Sequence, residues 1–448
     1  MRKLRSKRQI VLYAASGLGI NLLNTVMASY LCSALLVGGF KGDAINYQTF
    51  AQKDLVVAAL WAAFAFIAKV IDGVIDVPMA AVTDGLRSKW GRRRPSLIIG
   101  LVPLLISYVL FLLVPDPSGA SVLNTVYYGV ILCIFYTFYT LTMVTYYATY
   151  TEILENEQQR SLMSNVKSVC DIVYFILGYV AVRALLNGLN IRIVALLVLP
   201  LSATMLIPLF MIKEPSNKDQ PAEKSKRLRL IPSLTYTFKN SAFIKWMTVY
   251  SFMTFGVQLF LSGINEYFSF VGMNMIFVMM SAFAPVPFTL ILYNKIQKKY
   301  GFGAAFRYVL LTFVVGMLAM FGVGFVGAGT AKLVLSIITG LISSFAIGAM
   351  FAVAYSIPSQ LAAEEEQKNG VSNSAMYFAV QGLFAGVASG IGSGIVLTAL
   401  KKGSEKGGSA MIFLTVISAA GALVSFALTF ILPKTMIYLG KVEKKDKK

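Results

Sequence analysis

The chain has 448 residues, of which 57% are hydrophobic and only 13% are charged. An average soluble domain is about a quarter charged, so this composition excludes an ordinary soluble protein and indicates an integral membrane protein. The sequence contains no histidine, which removes the commonest general base and metal ligand. The net charge of +20 is spread over many segments between apolar runs. We therefore expect the lipid bilayer, and no nucleic acid, as the partner of these charges.

Twelve apolar runs follow one another along the chain, each providing most of the ~20 residues that a membrane-spanning helix requires. They lie near residues 10–38, 55–82, 96–115, 125–150, 167–186, 191–212, 242–262, 272–293, 306–327, 331–356, 373–399 and 410–432. Most Lys and Arg residues lie before the first run, after every second run and behind the last one, so the positive-inside rule places both termini in the cytoplasm. We expect a multi-pass protein of the plasma or inner membrane, and no oligomer is required.

A polar, charged and proline-containing segment, 213–241, divides the runs into two sets of six. Residues 1–212 and 242–448 are predicted to form two six-helix bundles joined by a cytoplasmic linker, with a basic cytoplasmic tail at the end. The loops after the fourth and tenth runs both combine acidic residues, a glutamine and a closing Ser-Asn, which indicates an internal repeat. An all-α membrane protein with 12 transmembrane helices in two pseudo-symmetric bundles resembles the major facilitator fold.

The second run contains three ionisable residues, Lys69, Asp72 and Asp76, in an otherwise apolar stretch. Charged groups at that depth are costly, and they commonly serve an ion or a substrate. Residues three or four apart share one face of a helix, so these side chains should converge. A purely structural ion pair is the alternative, but one lysine cannot balance two carboxylates. The pattern favours a cation site.

The block that begins at Lys69 carries a family signature. Its Asp-x-x-x-Asp pair is followed by Asp84, by Arg87-Ser-Lys-Trp-Gly91 and by a basic run that ends at Pro95. This block resembles the second-helix signature of the glycoside-pentoside-hexuronide:cation symporters. Weaker matches to that family are Tyr13 and Gly17 in the first run, Tyr136-Thr137 in the fourth, Gly370, and Val380-Gln381-Gly382 in the eleventh. The resemblance therefore covers both halves of the chain.

The resemblance implies a site for a coupling cation, either H+ or Na+, and no further cofactor. Asp72 and Asp76 would be its carboxylate ligands, including the metal ligands if the ion is sodium, and Thr137 would add a hydroxyl or carbonyl oxygen. Lys69 would compensate the charge of the pair when no cation is bound. The family has an asparagine directly before the second aspartate, whereas this chain has Ile75. The loss of that oxygen favours a proton, which needs fewer ligands than sodium.

The implied solute site departs from that of galactoside carriers. Those carriers have aspartates in helices one and four and a lysine in helix eleven, where this chain has Asn21, Thr140 and Gln381. Charge-assisted hydrogen bonds from paired carboxylates to sugar hydroxyls are therefore missing. Because neutral side chains still bind hydroxyls, we expect a small carbohydrate other than a galactoside. The candidate solute-binding residues are Asn21, Tyr136, Thr140, Lys167, Asp171 and Gln381, although Lys167 and Asp171 are equally compatible with a structural ion pair.

The basic loop after the second run is predicted to act as a conformational latch. In major facilitators such a loop pairs with neighbouring cytoplasmic helix ends and biases the conformational equilibrium. The candidate latch residues are Asp84, Arg87, Gly91 and Arg92. The alternative is a charge cluster that only fixes the topology.

The resemblance thus implies a cation-coupled secondary transporter that takes up a small polar solute, a sugar or glycoside, by alternating access. An enzyme is not expected, because the sequence has no nucleophile elbow, phosphate loop or zinc-ligand spacing. Two alternatives stay open. One is a cation-coupled carrier of lysolipids or other amphiphiles with the same fold, and the less favoured one is an intramembrane aspartyl enzyme.

Overall fold

The computed structural model describes residues 6–75, 78–79, 83, 86–154, 157–216, 218, 237–369 and 374–439. Within these ranges the chain forms helices, and no strand is present. The chain divides into two compact units, Met1–Leu228 and Arg229–Lys448. The division falls inside the segment 213–241, most of which lies outside the described residues.

Six long helical elements form the first unit. They are α1 (Lys7–Leu35), α2 (Ala58–Val74), α3 (Arg93–Leu110), α4 (Val122–Ile153), α5 (the consecutive segments Glu157–Ile176, Leu177–Ala181 and Val182–Leu185) and α6 (Ile191–Met211). A short helix, Ala44–Gln48, lies in the loop between α1 and α2. Helix α4 packs against α2 and α3, while α1 packs against α5 and α6.

Six further elements form the second unit. They are α7 (Ser241–Val271), α8 (Met275–Phe283 and Val286–Tyr300, bent by 41°), α9 (Phe302–Gly324), α10 (Thr330–Asn369), α11 (Met376–Lys402) and α12 (Ala410–Ile431). Helix α10 packs against α8 and α9, while α7 packs against α11 and α12. These helix contacts repeat those of the first unit: α10 corresponds to α4, and α7 corresponds to α1. Such a repeat is expected for duplicated bundles.

Among the described residues, nine helices are long and apolar enough to cross a membrane, and the bent α8 makes a tenth. The other two predicted spans correspond to α2, whose described helix has 17 residues, and to α5, which carries Lys167 and Asp171. A helix therefore occupies each of the twelve predicted spans, and the predicted all-α membrane fold is confirmed. Some boundaries were wrong: the seventh span was predicted to end at residue 262 and the tenth at residue 356, but α7 continues to Val271 and α10 to Asn369.

Short polar side chains start several of these helices. The Ser6 hydroxyl accepts a hydrogen bond from the backbone N–H of Gln9 at the start of α1, and Ser121 caps α4 in the same way. The side chain of Asn240 caps α7. Such caps satisfy backbone N–H groups that have no partner within the helix. Helix α7 ends at Gly272, whose φ of +67° lies in the left-handed region that favours glycine.

In the described part of the chain, three membrane helices contain a π-helical turn, at Met27–Leu31 in α1, Leu177–Ala181 in α5 and Gly390–Val396 in α11. Such turns often mark helices with a functional role. The turns of α1 and α5 are in contact, because the Tyr30 hydroxyl donates to the Gly178 carbonyl at 2.8 Å. This buried contact holds α1 against α5.

Candidate functional site

A group of charged and polar side chains occupies the facing sides of α2 and α4. The Lys69 Nζ atom lies 3.6 Å from Asp72 Oδ2, three residues further along α2. From α4, the Thr140 hydroxyl donates to Asp72 Oδ1 at 3.4 Å. The Lys69 Nζ atom also lies 4.1 Å from the centroid of the Tyr136 ring, a cation–π distance. We call Lys69, Asp72, Tyr136 and Thr140 the charged cluster.

The charged cluster is largely shielded from solvent. The side chain of Lys69 is 15% exposed and that of Asp72 is 28% exposed, while Tyr136 and Thr140 are buried. An ion pair in such a place loses much of its hydration, so it is a weak source of stability and a good candidate for a functional site. The second predicted carboxylate, Asp76, lies outside the described residues. In the described geometry, Asp72 is therefore the carboxylate that faces the lysine and the threonine.

The two threonines of α4 that the sequence assigned to the site have different partners. The Thr137 hydroxyl donates to the Cys133 carbonyl of its own helix at 2.8 Å. The hydroxyl that reaches Asp72 belongs to Thr140, which the sequence assigned to the solute. The rotation of α4 about its axis decides which threonine faces α2, and spacing along the chain does not reveal that rotation. A role for Thr137 at the cation site stays a prediction.

Asn21 of α1 contacts an aromatic residue of α4 that was not among the predicted site residues. The Tyr139 hydroxyl donates to Asn21 Oδ1 at 3.0 Å. The Tyr139 ring stacks on Phe135, with 6.2 Å between the ring centroids. This stacking fixes the direction of the hydroxyl and, through it, the orientation of the Asn21 amide. The density of polar residues along α4 was the only sequence signal for Tyr139.

Lys167 and Asp171 form an ion pair one turn apart on α5. The Lys167 Nζ atom lies 2.6 Å from Asp171 Oδ2, and the two side chains are 29% and 33% exposed. The same ammonium lies 5.3 Å from the centroid of the Tyr147 ring on α4. This geometry matches a structural ion pair, which was one of the two interpretations of these residues in the sequence analysis. A role of either residue in solute binding stays a prediction.

Gln381 lies in the second unit, on α11. Its side chain is buried, and its Oε1 atom accepts a hydrogen bond from the indole Nε1–H of Trp246 on α7 at 3.3 Å. The indole therefore fixes the direction of the amide. Its predicted role in solute binding likewise stays a prediction.

The basic loop before α3 is held by an acidic residue that follows α6. The Glu214 carboxylate accepts a hydrogen bond from the backbone N–H of Arg93 at 2.7 Å. The buried Arg93 side chain donates to the Thr83 hydroxyl at 3.3 Å, and Arg94 donates to the Leu209 carbonyl at 3.0 Å. A carboxylate at a helix N-terminus is stabilised by the unpaired N–H groups there.

The predicted latch residues differ in how the structure places them. Arg87 is exposed, and Arg92 is the residue directly before α3. Gly91 has a φ of +78° and lies against the Glu214 side chain, while Asp84 lies outside the described residues. Arg93 and Glu214 are the contacts that sequence reasoning missed. The Arg-Arg-Arg-Pro run was the signal for Arg93, but nothing in the sequence linked it to Glu214.

We expect Gly91→Ala to lower the melting temperature of the purified protein. A Cβ atom at this position would overlap the Glu214 side chain and would sit on a left-handed backbone. Gly42→Ala is the matched control, because Gly42 has a φ of +56° but no heavy atom within 4 Å of the added Cβ. The loss should be larger at Gly91, by a margin that Glu214→Gly reduces, because this change removes both the Cβ atom and the carboxylate that the added Cβ would overlap. Equal losses at the two glycines would show that the contact with Glu214 is unimportant.

An almost completely buried ion pair lies inside the second unit. Lys401 Nζ of α11 is 2.6 Å from Glu266 Oε1 of α7, and the two side chains are only 3% and 0% exposed. The sequence did not indicate this pair, because both residues fell just beyond the predicted ends of their spans. The actual helices continue far enough to enclose them.

Comparison with known families identifies the chain. The sequence model of the family described as MFS/sugar transport protein matches residues 12–433. The chain belongs to this family. The match runs from α1 to the end of α12, so it does not depend on the second-helix block alone. The predicted resemblance to this family is confirmed.

Curated relatives are similar over shorter stretches. An uncharacterized symporter of Synechocystis sp. is 25% identical over 270 residues, which cover 58% of this chain and 45% of the relative. A lactose permease of Lactobacillus helveticus is 25% identical over 38% of this chain and 26% of the relative. A glucuronide carrier protein homolog of Escherichia coli K12 is 29% identical over 32% of this chain and 33% of the relative. The matched stretches thus span less than half of each relative.

Solved transporter structures share the fold. The nucleoside transporter NupG superimposes with a TM-score of 0.62 at 15% identity, covering 96% of this chain and 99% of NupG. A bacterial homolog of the human lysosomal transporter Spinster, in an inward-facing conformation, gives a TM-score of 0.61 at 12% identity and covers 98% of this chain. At these identities the likeness establishes the fold alone.

The family and the relatives are transporters, which confirms the prediction that the chain does not belong to an enzyme family. The intramembrane aspartyl enzyme has no support in the family assignment. The chain is an integral membrane protein of the MFS/sugar transport protein family.

Proposed function

We propose that this transporter couples the entry of a cation to the uptake of a small polar solute, a sugar or a glycoside. The observation that carries the proposal is the carboxylate of Asp72, which lies inside a membrane helix with Lys69 Nζ at 3.6 Å and the Thr140 hydroxyl at 3.4 Å. A shielded carboxylate that also has an exchangeable partner can be neutralised by an incoming cation. The family description and the printed names of the sugar carriers among the relatives support a carbohydrate.

In the proposed mechanism Lys69 and the cation compete for Asp72. With no cation bound, the Lys69 ammonium compensates the carboxylate. When a cation binds at Asp72, and at Asp76 as the sequence predicts, Lys69 is released toward the Tyr136 ring that already faces it. The electrostatic environment of the solute site then changes, because Thr140 contacts Asp72 and is itself a candidate solute residue. The empty and fully loaded carriers change conformation readily, whereas a half-loaded carrier does not.

We propose a proton, ahead of sodium, as the coupling ion. A sodium ion needs several oxygen ligands at once, whereas a proton needs one carboxylate. Ile75 supplies no side-chain oxygen where the family has an asparagine. This difference reduces the number of oxygens that could surround sodium near Asp72.

The solute is proposed to bind through neutral polar groups together with one ion pair. The neutral groups are those of Asn21, Tyr136, Thr140 and Gln381, and the ion pair is Lys167–Asp171. Thr140 and Tyr136 belong to the charged cluster, so a solute that touches them is in direct communication with the cation site. We place the protein in the plasma or inner membrane with both termini and the segment 213–241 in the cytoplasm, since this topology puts most basic residues inside. The two bundles are assigned to residues 1–212 and 242–448.

The proposal can be tested with purified protein in proteoliposomes. Radiolabelled sugars and glycosides are supplied outside while a proton gradient or a sodium gradient, each without the other, is imposed across the membrane. We expect at least one neutral sugar or glycoside to accumulate above the outside concentration, and the proton gradient to drive this accumulation. Accumulation driven by sodium alone would reverse the assignment of the ion.

A binding measurement accompanies the transport assay and distinguishes a sugar from an amphiphile as the solute. A bound solute raises the melting temperature of the protein according to its concentration and affinity. We expect stabilisation by sugars and none by lysolipids below their micellar concentration. Stabilisation by lysolipids, with no effect from any sugar, would contradict the proposed sugar transport and would favour transport of amphiphiles by the same fold.

A further inference from the structure

Basic residues surround one end of the second unit. The end of α8, the start of α9, the end of α12 and the short helix Lys434–Ile437 meet there. The backbone N–H of Phe302, the first residue of α9, donates to the Leu439 carbonyl at 2.9 Å and ties the last of these segments to α9. We call the following five residues the basic corner: Lys295, Lys298, Lys299, Arg307 and Lys434.

The positive charge of the basic corner is not balanced by carboxylates. The sequence has no aspartate or glutamate between residues 275 and 324 or between residues 410 and 439, which include α8, α9, α12 and the short helix. The neighbouring helix α10 carries Glu364, but in the described ranges no ion pair joins an acidic residue to the basic corner. The corner therefore presents five positive charges to its surroundings.

Arg307 occupies the second turn of α9 and has a fixed guanidinium. Its Nε atom donates to the Thr429 hydroxyl at 2.9 Å, and its Nη2 atom donates to the Thr429 carbonyl at 3.3 Å. The guanidinium also lies 4.0 Å from the centroid of the Phe430 ring. These partners are all neutral, so they orient the guanidinium without cancelling its charge. Three of its five N–H donors remain for another molecule.

The surface next to the basic corner is apolar and exposed. On α8, Phe288, Ile291 and Leu292 are at least 50% exposed, and the exposed Lys295 and Lys299 continue the same helix face. Exposed apolar side chains of a membrane helix face lipid acyl chains, while long basic side chains near its end reach the headgroups. The basic corner therefore lies at the depth of the lipid phosphates.

The first unit has a similar arrangement at the corresponding place. There α3 corresponds to α9, and α6 corresponds to α12. Arg94, near the start of α3, donates to the Leu209 carbonyl near the end of α6 at 3.0 Å. Arg307 donates in the same way to the Thr429 carbonyl near the end of α12. Both units thus use an arginine to tie these two helices together.

The two units differ in the charge that follows the last helix. Glu214 lies three residues after the end of α6, and its carboxylate accepts a hydrogen bond from the Arg93 backbone N–H at 2.7 Å. Lys434 lies three residues after the end of α12. The first unit therefore supplies its own anion beside its arginines, whereas the second unit places a further cation there.

We propose that the basic corner binds the phosphate headgroup of an anionic lipid, with Arg307 and Lys434 as its principal contacts. The fork of N–H donors on arginine matches phosphate oxygens, and lysine adds a point charge. The acyl chains lie along the exposed apolar faces of α8 and α9. A zwitterionic lipid binds less tightly, because the basic corner repels its cationic group. This inference goes beyond the proposed function and is independent of the solute.

The test measures lipid binding to the purified, delipidated full-length protein in a neutral detergent by native mass spectrometry. We expect phosphatidylglycerol to bind more tightly than phosphatidylcholine with the same acyl chains. Lys434→Gln should lower the affinity for phosphatidylglycerol about fivefold, the factor that corresponds to about 1 kcal/mol for each basic residue near a lipid headgroup. Lys298→Gln combined with Lys434→Gln should lower it about 25-fold. Binding of phosphatidylcholine should stay the same.

The control is Lys402→Gln, which removes the same charge at the opposite end of the second unit. Lys402 lies at the end of α11 and pairs with Glu405. This variant should bind phosphatidylglycerol like the wild type. Lys434 is exposed, so its replacement should not affect folding, and an unchanged melting temperature verifies this.

Three results would overturn the inference. The first is equal affinity of the wild type for phosphatidylglycerol and phosphatidylcholine. The second is an equal loss of affinity in Lys434→Gln and Lys402→Gln, which would show only diffuse attraction to the charge of the whole protein. The third is displacement of bound phosphatidylglycerol by millimolar inorganic phosphate, which would assign the site to a free anion. None of these results bears on whether the protein transports a sugar, so the proposed function is tested separately.

Discussion

Replacing Asp72 by asparagine should abolish solute accumulation in proteoliposomes while leaving solute exchange measurable. Asparagine has the shape of aspartate but cannot take up a proton or balance a metal ion, so the cation gradient is no longer coupled to the solute. The accumulation ratio should fall to one. Exchange of labelled for unlabelled solute needs no net cation movement and should persist. Asp76→Asn should behave in the same way if that residue shares the site, as the sequence predicts.

The control for this prediction is Asp43→Asn. Asp43 is an exposed acidic residue that precedes the short helix Ala44–Gln48 in the loop after α1. Its replacement removes the same charge from the chain outside the charged cluster, and accumulation should be unchanged. Concentrative uptake that survives in both Asp72→Asn and Asp76→Asn would show that the cation binds elsewhere. Loss of exchange together with accumulation would point to a folding defect, which the melting temperature of each variant detects.

Replacing Lys401 by methionine should give the largest loss of stability. The change leaves the Glu266 carboxylate, which is 0% exposed, without the ammonium that lies 2.6 Å away. Removing one partner of a buried ion pair typically costs about 3–5 kcal/mol, because the remaining charge stays desolvated. The melting temperature in detergent measures the effect. We expect Glu266→Gln to lower the melting temperature as well, since the Lys401 ammonium then faces a neutral amide.

The neighbouring residue provides a matched control. Lys402 is 41% exposed and lies 2.8 Å from Glu405 in an exposed pair. Exposed pairs are worth below about 1 kcal/mol, so Lys402→Met should change the melting temperature little. The double variant Glu266→Leu with Lys401→Met should recover much of the loss, because no unpaired charge remains. Equal losses for Lys401→Met and Lys402→Met would contradict the burial that the structure assigns to the first pair.

The two ion pairs that carry these predictions differ in exposure. Asp72 is 28% exposed, and it shares its surroundings with a hydroxyl and an aromatic ring that faces the lysine. Glu266 is enclosed completely and lies next to Lys401 at a short distance. A partly exposed carboxylate can exchange its partner for a cation, whereas an enclosed one cannot do so without a large rearrangement. This difference in exposure is the reason for proposing that the first pair serves coupling and the second serves stability.

The Lys401–Glu266 pair also shows why hydropathy alone placed two charged residues outside the membrane spans. An apolar window ends where charges begin, so it ended the seventh span at residue 262 and the eleventh at residue 399. Helices α7 and α11 continue past these points, to Val271 and Lys402. A window counts each charge as a cost and cannot see that the opposite charge lies on another helix. Pairing across helices removes that cost, and it is a property of the packed unit.

The sequence alone determined the number of helices, the division into two similar halves, the family and the presence of charged residues in α2. These follow from the length of apolar runs, the repeated loops and the short-range spacing of Lys69 and Asp72, which a helix converts directly into proximity. Only the tertiary structure decided that Thr140 and not Thr137 reaches Asp72, that Tyr139 orients Asn21, and that Glu266 meets Lys401. Each of these contacts joins two different helices, and the rotation and end of each helix are set by packing between them, which no local pattern encodes.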